Sequence, residues 1–410
     1  MEELRTGDRA LIRELNTAIV LDCIRRQGPI ARTEIASMTG MGRSTVSGIV
    51  GRLLEKGLVE TVGAGDSTGG RKPELLAFNP RRFFSMGIRL AAGEASGCLA
   101  DLDGRILLRV SLRRRVERAG RGSAAMCVRE ICDRLLAEAA REASAGRLLG
   151  VGIALADDVA GESEDTGALR EQLGRAARRE PGGEPGTPVL IEDEAHVGAL
   201  GEKWAGRGDS EDFLFVSVGP RIGASLVVGG RLLGGDKTGV GRLGHMRLLA
   251  GGPVCRCGLT GCVETLAGDE ALARYYREER AAAGADAGAG SIRSIAALAH
   301  RGDPAALRAV ERAASVLGTA IANVVKLMGI EQVVVAGDTA VLGGAVYLDA
   351  VRRQAKAELP PGVRERTVVR HSRLGGDVWL AGAAALVIEE VFRPPIYSSA
   401  SAVAARVVAQ

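Results

Sequence analysis

The sequence predicts an α/β protein that opens with a winged helix-turn-helix, and three observations carry that expectation. Residues 16–78 read as three short helices followed by two strands around a basic, glycine-rich loop. From Phe84 onward strands alternate with helices, the texture of sheets covered by helices. The composition is that of an ordinary soluble globular chain, 46% apolar and 25% charged. With aromatics at only 3%, the cores have to be assembled from Val, Leu, Ile and Ala. A length of 410 residues suggests two or three domains.

Asn16 to Arg26 is an amphipathic helix with Ile19, Val20, Cys23 and Ile24 on one face, stopped by Gly28-Pro29. Thr33 is the expected N-cap of a second helix, Glu34 to Met38, which turns Ile35 and Met38 inward. Thr39-Gly40-Met41-Gly42 makes a tight turn. Arg43 to Lys56 then forms a third helix with Val46, Ile49, Val50, Leu53 and Leu54 at helical spacing. Two short helices joined by a four-residue turn containing Gly form the helix-turn-helix pattern. The exposed start of the third helix offers Arg43, Ser44, Thr45 and Ser47, with Arg52 further along. These hydrogen-bonding groups and guanidinium forks suit base edges and phosphates in a major groove.

Leu58 to Val62 and Glu74 to Phe78 are strands, and the loop between them ends in Gly69-Gly70-Arg71-Lys72-Pro73. Such a ribbon is a wing, with Arg71 and Lys72 placed to enter a minor groove or clamp phosphates. Ten Lys/Arg face six acids between residues 20 and 82, an excess equal to the whole chain's net charge of +4. Residues 1–80 are therefore expected to bind double-stranded DNA. The alternative is a three-helix protein-interaction module with a basic surface.

In the remainder, Phe84 to Leu90, Ala95 to Asp101 and Arg105 to Val110 read as a three-stranded meander, residues 123–144 as a helix, and Leu149 to Leu155 as a buried strand. Residues 161–187 are polar, with a loop at Pro181 to Gly186. Val189 to Ile191 is a strand leading into a helix from about Ala195 to Ala205. Phe213 to Val218 pairs with Ala224 to Val228, Gln332 to Ala336 is a late strand between long helices, and residues 277–291 read as a mobile surface insertion. No internal repeat of fixed short period is visible. The longest apolar run, Val378 to Ile388, has 11 residues, against roughly 18 needed to cross a bilayer. The charged N-terminus, Met1-Glu2-Glu3-Leu4-Arg5, has no apolar signal core. A cytoplasmic protein is expected.

Seven cysteines in a chain without a signal argue against a disulfide framework. Cys23, Cys98, Cys127 and Cys132 are isolated in apolar or amphipathic contexts and are expected as buried free thiols. Cys255, Cys257 and Cys262 cluster downstream of His245. Three thiols and an imidazole make the closed Cys3His set of a structural Zn2+ site, with no open position for an activated water. Gly258 and Gly261 let the backbone fold tightly enough for the sulfurs to face one ion. Reduced, metal-free thiols are the alternative.

Gly244-His245-Met246, followed by Cys255-x-Cys257-Gly258-x-x-Gly261-Cys262-x-Glu264, resembles the ROK family of repressors, uncharacterised reading frames and sugar kinases. Ile191 to Glu202 resembles the family's Glu-Asn-Asp-Ala-Asn segment. Gly219-Pro220-Arg221-Ile222-Gly223 and Gly229 to Leu233 resemble its phosphate loop and the hairpin after it. The resemblance implies a two-lobed, actin-like and ribonuclease-H-like ROK sugar-kinase fold behind the winged helix. The first lobe would span 81–194, completed by a C-terminal helix. The second, 195–410, would carry the zinc site and the surface for a homodimer or tetramer. It further implies a cleft for a sugar or sugar-phosphate effector, with Asp193, Glu194, Arg242, His245 and Glu264 at ligand-contacting positions.

Against the family's kinase pattern the departures are specific. Where the first strand usually runs Gly-x-Asp-x-Gly-Gly, this chain has Gly87-Ile88-Arg89-Leu90-Ala91-Ala92, replacing an acid by a cation and filling both glycines. The catalytic aspartate position is Glu194, preceded by Asp193 in place of asparagine. The phosphate loop has gained Pro220 and Arg221, which costs an amide donor. A sugar-contacting glutamate has become Arg242, and the glycine-rich adenosine-side loop reads Ala336-Gly337-Asp338-Thr339. These changes predict a protein without kinase activity, a dimeric ROK-type repressor. The alternatives are a sugar kinase with an appended DNA-binding domain, and a ligand-independent DNA-binding regulator with a vestigial cleft. Arg89, Arg221 and Arg242 have two readings: they favour an anionic effector, or they pair with acids such as Asp193, Glu194 and Asp236.

Overall fold

A computed structural model describes residues 9–65, 72–91, 93–112, 121–141, 146–156, 159, 166–178, 187–205, 212–233, 241–285 and 290–392. At the front, α1 (Arg9–Gln27), α2 (Arg32–Thr39) and α3 (Arg43–Glu55) share a core of Val20, Ile24, Ile35, Val46, Val50 and Leu53. A small sheet of order β1-β3-β2 covers it, built from β1 (Ile30–Ala31), β2 (Val59–Ala64) and β3 (Glu74–Phe78), with β2 and β3 antiparallel. Gly40, at φ 68°, ends α2 in the left-handed region, where a side chain would be strained.

Three details of this module differ from the sequence expectation. Thr33 does not cap α2: the helix starts two residues earlier, at Arg32, and the Glu34 carboxylate accepts the Ala31 N–H at 2.8 Å. Met38 is exposed, because it lies in the last turn of α2 beyond the edge of the core. Ile19 is exposed as well. The buried stripe of α1 runs through Val20, Leu21 and Ile24, and one residue's turn of about 100° takes Ile19 off it.

Behind the winged module stand two five-stranded mixed sheets with the same topology. One has the order β6-β5-β4-β7-β8, from β4 (Phe83–Ala91), β5 (Glu94–Asp101), β6 (Ile106–Leu112), β7 (Arg147–Leu155) and β8 (Val189–Asp193). The other runs β11-β10-β9-β12-β13, from β9 (Phe213–Val218), β10 (Ile222–Val228), β11 (Arg231–Leu233), β12 (Gln332–Ala336) and β13 (Val368–His371). In each, an antiparallel meander supplies three strands and two parallel strands complete the sheet. The chain is thus duplicated in architecture without a repeat in sequence.

In the first lobe, α4 (Arg121–Arg141) packs its Cys127, Val128, Ile131 and Leu135 onto the sheet, beside α5 (Thr166–Arg178). The sequence reading left 166–178 as an undivided polar stretch; its apolar residues, Leu169, Leu173 and Ala177, are few but fall on one buried face. The loop expected at Pro181 to Gly186 lies outside the described residues. Between the lobes runs α6 (Glu194–Ala205). The second lobe carries α7 (Val263–Ala267), α8 (Asp269–Ala282), α9 (Ile292–His300), α10 (Pro304–Met328), α11 (Asp338–Ala357) and α12 (Pro361–Arg366). Helix α8 extends to Ala282 and buries Tyr275 and Tyr276, so the first six residues of the expected surface insertion at 277–291 are the end of a helix.

The last helix, α13 (Val378–Phe392), returns to the first lobe and packs on β4, β7 and α6. It does so at backbone contact. A Cβ on Gly152 of β7 would stand 1.8 Å from the Ala383 carbonyl oxygen, and one on Gly382 the same distance from that of Val197. Its far end, Val387, Ile388 and Val391, belongs to the same core as the winged helix, together with Phe83, Leu102 and Leu149. Among the described residues no helix is long and apolar enough to cross a membrane. Gly152→Ala should therefore destabilise the protein by about 3 kcal/mol or more in denaturant unfolding. Gly63→Ala, in β2 with nothing within 4 Å of the new methyl, should change stability by no more than about 0.5 kcal/mol.

Candidate functional site

The first turn of α3 presents Arg43, Ser44 and Thr45 to solvent, followed by Ser47 after buried Val46. Helical geometry explains the set: the residues that pack inward, Val46, Ile49, Val50 and Leu53, leave the opposite face to polar groups. Arg52 is exposed on the same helix. Among the described residues neither Arg43 nor Arg52 forms an ion pair. Lys72 is exposed at the base of the wing, while Arg71 lies outside the described residues.

In the cleft, the expected ligand positions separate into two groups. The first is centred on Glu194, at the start of α6. Arg89, from β4, grips one of its carboxylate oxygens with Nη2 at 2.6 Å and Nε at 3.0 Å, 105 residues away in sequence. The guanidinium lies 3.9 Å over the Trp379 ring of α13. Burial works against the arginine's charge, but Glu194 and then Asp338 outweigh it and hold Arg89 protonated more firmly than usual. Asp193 caps α6, accepting the His196 N–H at 3.0 Å and facing His196 Nδ1 at 3.2 Å. Burial opposes its charged form, yet the His196 ring and the local backbone N–H groups hold its carboxyl below the ordinary range.

The second group surrounds Glu264, which is buried at the start of α7. Its Oε1 accepts from Arg221 Nη1 at 3.1 Å and Arg256 Nε at 3.0 Å, and its Oε2 from the Ile222 N–H at 3.3 Å. Arg256 also reaches His245, Nη2 to Nε2, at 3.5 Å. Of the three arginines singled out in the sequence, Arg89 and Arg221 pair with acids. Arg242 is exposed, at the head of the short 3-10 turn that carries His245, and pairs with no acid among the described residues. Asp236 lies outside them. Arg256 is a further residue of this group that the sequence motif contains but does not mark, its position between Cys255 and Cys257 being the available signal.

The other face of His245 looks into the sulfur cluster. The ligand atoms of His245, Cys255, Cys257 and Cys262 lie within 4.8 Å of one another and could hold a metal ion. Cys255 Sγ is 3.5 Å from His245 Nδ1, and Cys257 Sγ is 3.7 Å from Cys262 Sγ. These are close to the edges of a tetrahedron with metal–sulfur bonds of about 2.3 Å and metal–nitrogen bonds of about 2.0 Å. Burial, reinforced by the two neighbouring thiols, pushes Cys262 up to about 12, so the sulfurs would not ionise together unless a cation joined them. All seven cysteines are free.

In the second lobe, Asp269 at the start of α8 accepts a hydrogen bond from Thr339 of α11. Burial, with Asp338 and Glu270 nearby, pushes its carboxyl up to about 6, against the Thr339 bond. Two acids thus sit at helix N-termini, Asp269 on α8 and Asp338 on α11, where the dipoles would otherwise favour a phosphate.

Residues 86–390 match the ROK family, and residues 14–71 match the MarR family. The chain is 26% identical over 388 residues to the xylose repressor of Bacillus subtilis (strain 168), covering 93% of this chain and 97% of that one. It superposes on a ROK family transcriptional regulator, a homologue of the E. coli MLC protein, with a TM-score of 0.77 at 22% identity, covering 98% and 100% of the two chains. It also superposes on the ROK hexokinase of Thermus thermophilus with a TM-score of 0.58 at 29% identity, covering 74% of this chain and 97% of that one.

The raised Asp269 carboxyl makes a stability prediction. The folded state binds its proton more tightly than the unfolded chain does. The resulting contribution is present below the ordinary aspartate pKa and disappears as the pH rises through about 6. Asp269→Asn should therefore be more stable than the parent at pH 8, by about 1–2 kcal/mol in denaturant unfolding, with the gap closing below pH 4.

Proposed function

The chain belongs to the ROK family, and from that premise we propose that it is a transcriptional repressor. It would bind an operator through its winged helix, respond to a carbohydrate in the interlobe cleft, and transfer no phosphate. The observation that carries the reading is the first turn of α3: Arg43, Ser44, Thr45 and Ser47 stand exposed in a row, and among the described residues no acid neutralises Arg43. On a rigid helix, that row supplies hydrogen bonds to base edges and a cation for phosphate. Arg52 and the wing, with Lys72 and Arg71, would add phosphate contacts. The likeness to the xylose repressor along 93% of the chain agrees with this role.

Loss of phosphoryl transfer follows from the first group in the cleft. A general base must be free to accept a proton from the attacking hydroxyl. Glu194 stands at the position of that base, and Arg89 occupies it through two hydrogen bonds to one oxygen. Asp269 and Asp338 at the opposing helix N-termini would repel nucleotide phosphates. In the sugar pocket, His245 and Glu264 remain as polar groups toward a ligand, with Asp193, Glu194 and Arg242 at its margin.

Zinc fits the Cys3His set. His245, Cys255, Cys257 and Cys262 would hold it, and a closed set of this kind supplies structure rather than an activated water. Because His245 also faces Arg256, the metal would fix one wall of the cleft. We read the protein as a homodimer, or a tetramer built from dimers, pairing through its second lobe. Operator half-sites would be related by the same two-fold axis.

Operator binding is tested by fluorescence anisotropy with promoter fragments from the protein's own genomic neighbourhood. Arg43→Ala combined with Lys72→Ala should weaken binding about 10-fold to 100-fold and reduce the slope of log K against log salt by about 2. Unchanged affinity and slope would overturn the assignment of this face. In the same preparation a coupled assay with ATP and glucose, N-acetylglucosamine or N-acetylmannosamine should show no sugar-dependent ATP consumption. Metal analysis should find one zinc per chain, absent from Cys262→Ser, and chelation should lower the melting temperature.

A further inference from the structure

The winged helix is joined to the lobes more firmly than its covalent connection requires. Only Asn79 to Arg82 run between β3 and β4, and they are bonded on both sides. The Asn79 N–H donates to the Leu58 carbonyl at 2.9 Å, the Leu102 N–H to the Pro80 carbonyl at 3.0 Å, and Arg82 Nε to the Lys56 carbonyl at 2.9 Å. Such a connection is a fixed pivot rather than a flexible linker. Beyond it, Val20, Leu21 and Ile24 of α1 share a core with Val387, Ile388 and Val391 of α13. Apolar burial is non-directional, so it seats the module without by itself choosing one rotation about the pivot.

The directional contact comes from α1. Arg25, in its last turn, sets its guanidinium 4.8 Å from the Phe392 ring of α13 and 5.1 Å from the Trp204 ring of α6. Each group in this contact is held from behind. Asp22 accepts from Arg25 Nη2 at 2.8 Å and Nε at 3.2 Å. Trp204 Nε1 donates to Glu389 Oε1 at 3.0 Å, the oxygen that also takes Lys203 Nζ at 2.6 Å. Phe392 meets Phe78 edge-on. A cation set against two rings loses attraction as soon as either ring turns away. The rings stand at the far ends of α6 and α13, which are locked together where a Cβ on Gly201 or Gly382 would lie 2.1 Å or 1.8 Å from an opposing carbonyl oxygen. Arg25 therefore registers α1 against a rigid pair of helices. Its side chain is only 21% exposed, so it is engaged here rather than available to a DNA phosphate.

We propose that Arg25 is a positioning residue for operator binding: set against Trp204 and Phe392, it fixes the rotation of the winged helix on the lobes and so sets the separation at which two copies of the chain present α3 to DNA. The proposal rests on the reading of the protein as a dimeric operator-binding repressor. A module held at two points meets its second half-site in one geometry. One that turns about a single pivot spreads its effective concentration over many half-site spacings.

The test uses the intact protein and the duplex it retains from a random-sequence pool at low ionic strength. Fluorescence anisotropy compares that duplex, the same duplex with two base pairs inserted between its half-sites, and a single half-site. The insertion turns one half-site by about 70° relative to the other. The parent should lose about 10-fold or more in affinity on insertion and Arg25→Ala about 3-fold or less, while both bind the single half-site within about 2-fold of each other. Arg25→Lys, which keeps a cation near the rings without the planar stack, should fall between them. A second readout needs no DNA. Trp379 is fully buried, so acrylamide quenching of tryptophan fluorescence reports on Trp204, and Arg25→Ala should increase it. Melting curves establish that both variants are folded. A parent indifferent to the insertion, a folded Arg25→Ala that keeps the parent's spacing penalty or loses single-half-site affinity in the same proportion, or unchanged quenching would each overturn the proposal. Retention of no duplex by the parent would instead remove the repressor reading, and the positioning role with it, even where quenching changes.

Discussion

The architecture depends on backbone-to-backbone contact along α13. Four glycines permit it: Gly87 on β4, Gly152 on β7, Gly201 on α6 and Gly382 on α13 itself. At each, an added Cβ would lie 2.3 Å or less from a carbonyl oxygen of the opposing segment. Atoms do not approach that closely, so this is a constraint on sequence rather than a preference. It brings the last described helix of the chain onto the first strand of the lobes. Trp379 then lies beneath Arg89, and Phe392 near Phe78 of the winged module, ring centroids 5.9 Å apart. Arg25 of α1 stacks 4.8 Å from Phe392 and 5.1 Å from Trp204 of α6. The cleft and the winged helix are therefore attached to the same helix.

The electrostatics of the cleft follow from how it disposes of buried charge. A charged group removed from water needs a partner. Arg89 meets that need for Glu194, His196 and the α6 backbone for Asp193, and Arg370 with Ser372 for Glu202. Each of these acids is satisfied within the protein. The surroundings of Arg221 are different, because its Nε–H is buried without an acceptor. Around Glu194, Asp193 and Glu202 acids and partners are matched, whereas beside Glu264 one donor of Arg221 finds no acceptor among the described residues.

Much of this was legible in the sequence wherever the determining interaction is local. Periodicity located α3 and its buried face to within a residue, and short apolar runs located β4, β5, β9 and β12. Cys255, Cys257 and Cys262 stand close enough in sequence for their spacing to announce a common ligand, with His245 ten residues ahead. Interactions over long separations were not legible. The sequence offered Glu194 among several acids for Arg89 without choosing between that pairing and an anionic ligand, and nothing around Asp193 shows whether a carboxylate will cap its own helix or face a cleft. The exposure of Ile19 and Met38 has the same origin, since a pattern names a face but not where the neighbouring element ends. The helix Thr166–Arg178 was hidden because its polar residues outnumber the few that reach the core.

On the proposed reading, the pairing of Glu194 with Arg89 shows how a cleft can give up phosphoryl transfer and keep its frame. Deleting the catalytic carboxylate would leave the cleft wall short of a buried acid and Arg89 without its partner. Retaining an acid one methylene longer and opposing it with a cation keeps the interior balanced and the backbone in place. Arg89 stacked on Trp379 achieves this on α13, the helix that also reaches the winged module. Pairing Glu194 with Arg89 thus balances charge within the two-lobed frame, and on the proposed reading it withdraws the proton acceptor that phosphoryl transfer requires. A ligand can shift the arrangement of two lobes only by as much as its affinity differs between the arrangements. Arg89 is thus matched to Glu194 within the protein, while Arg221 and Arg256 share the buried carboxylate of Glu264.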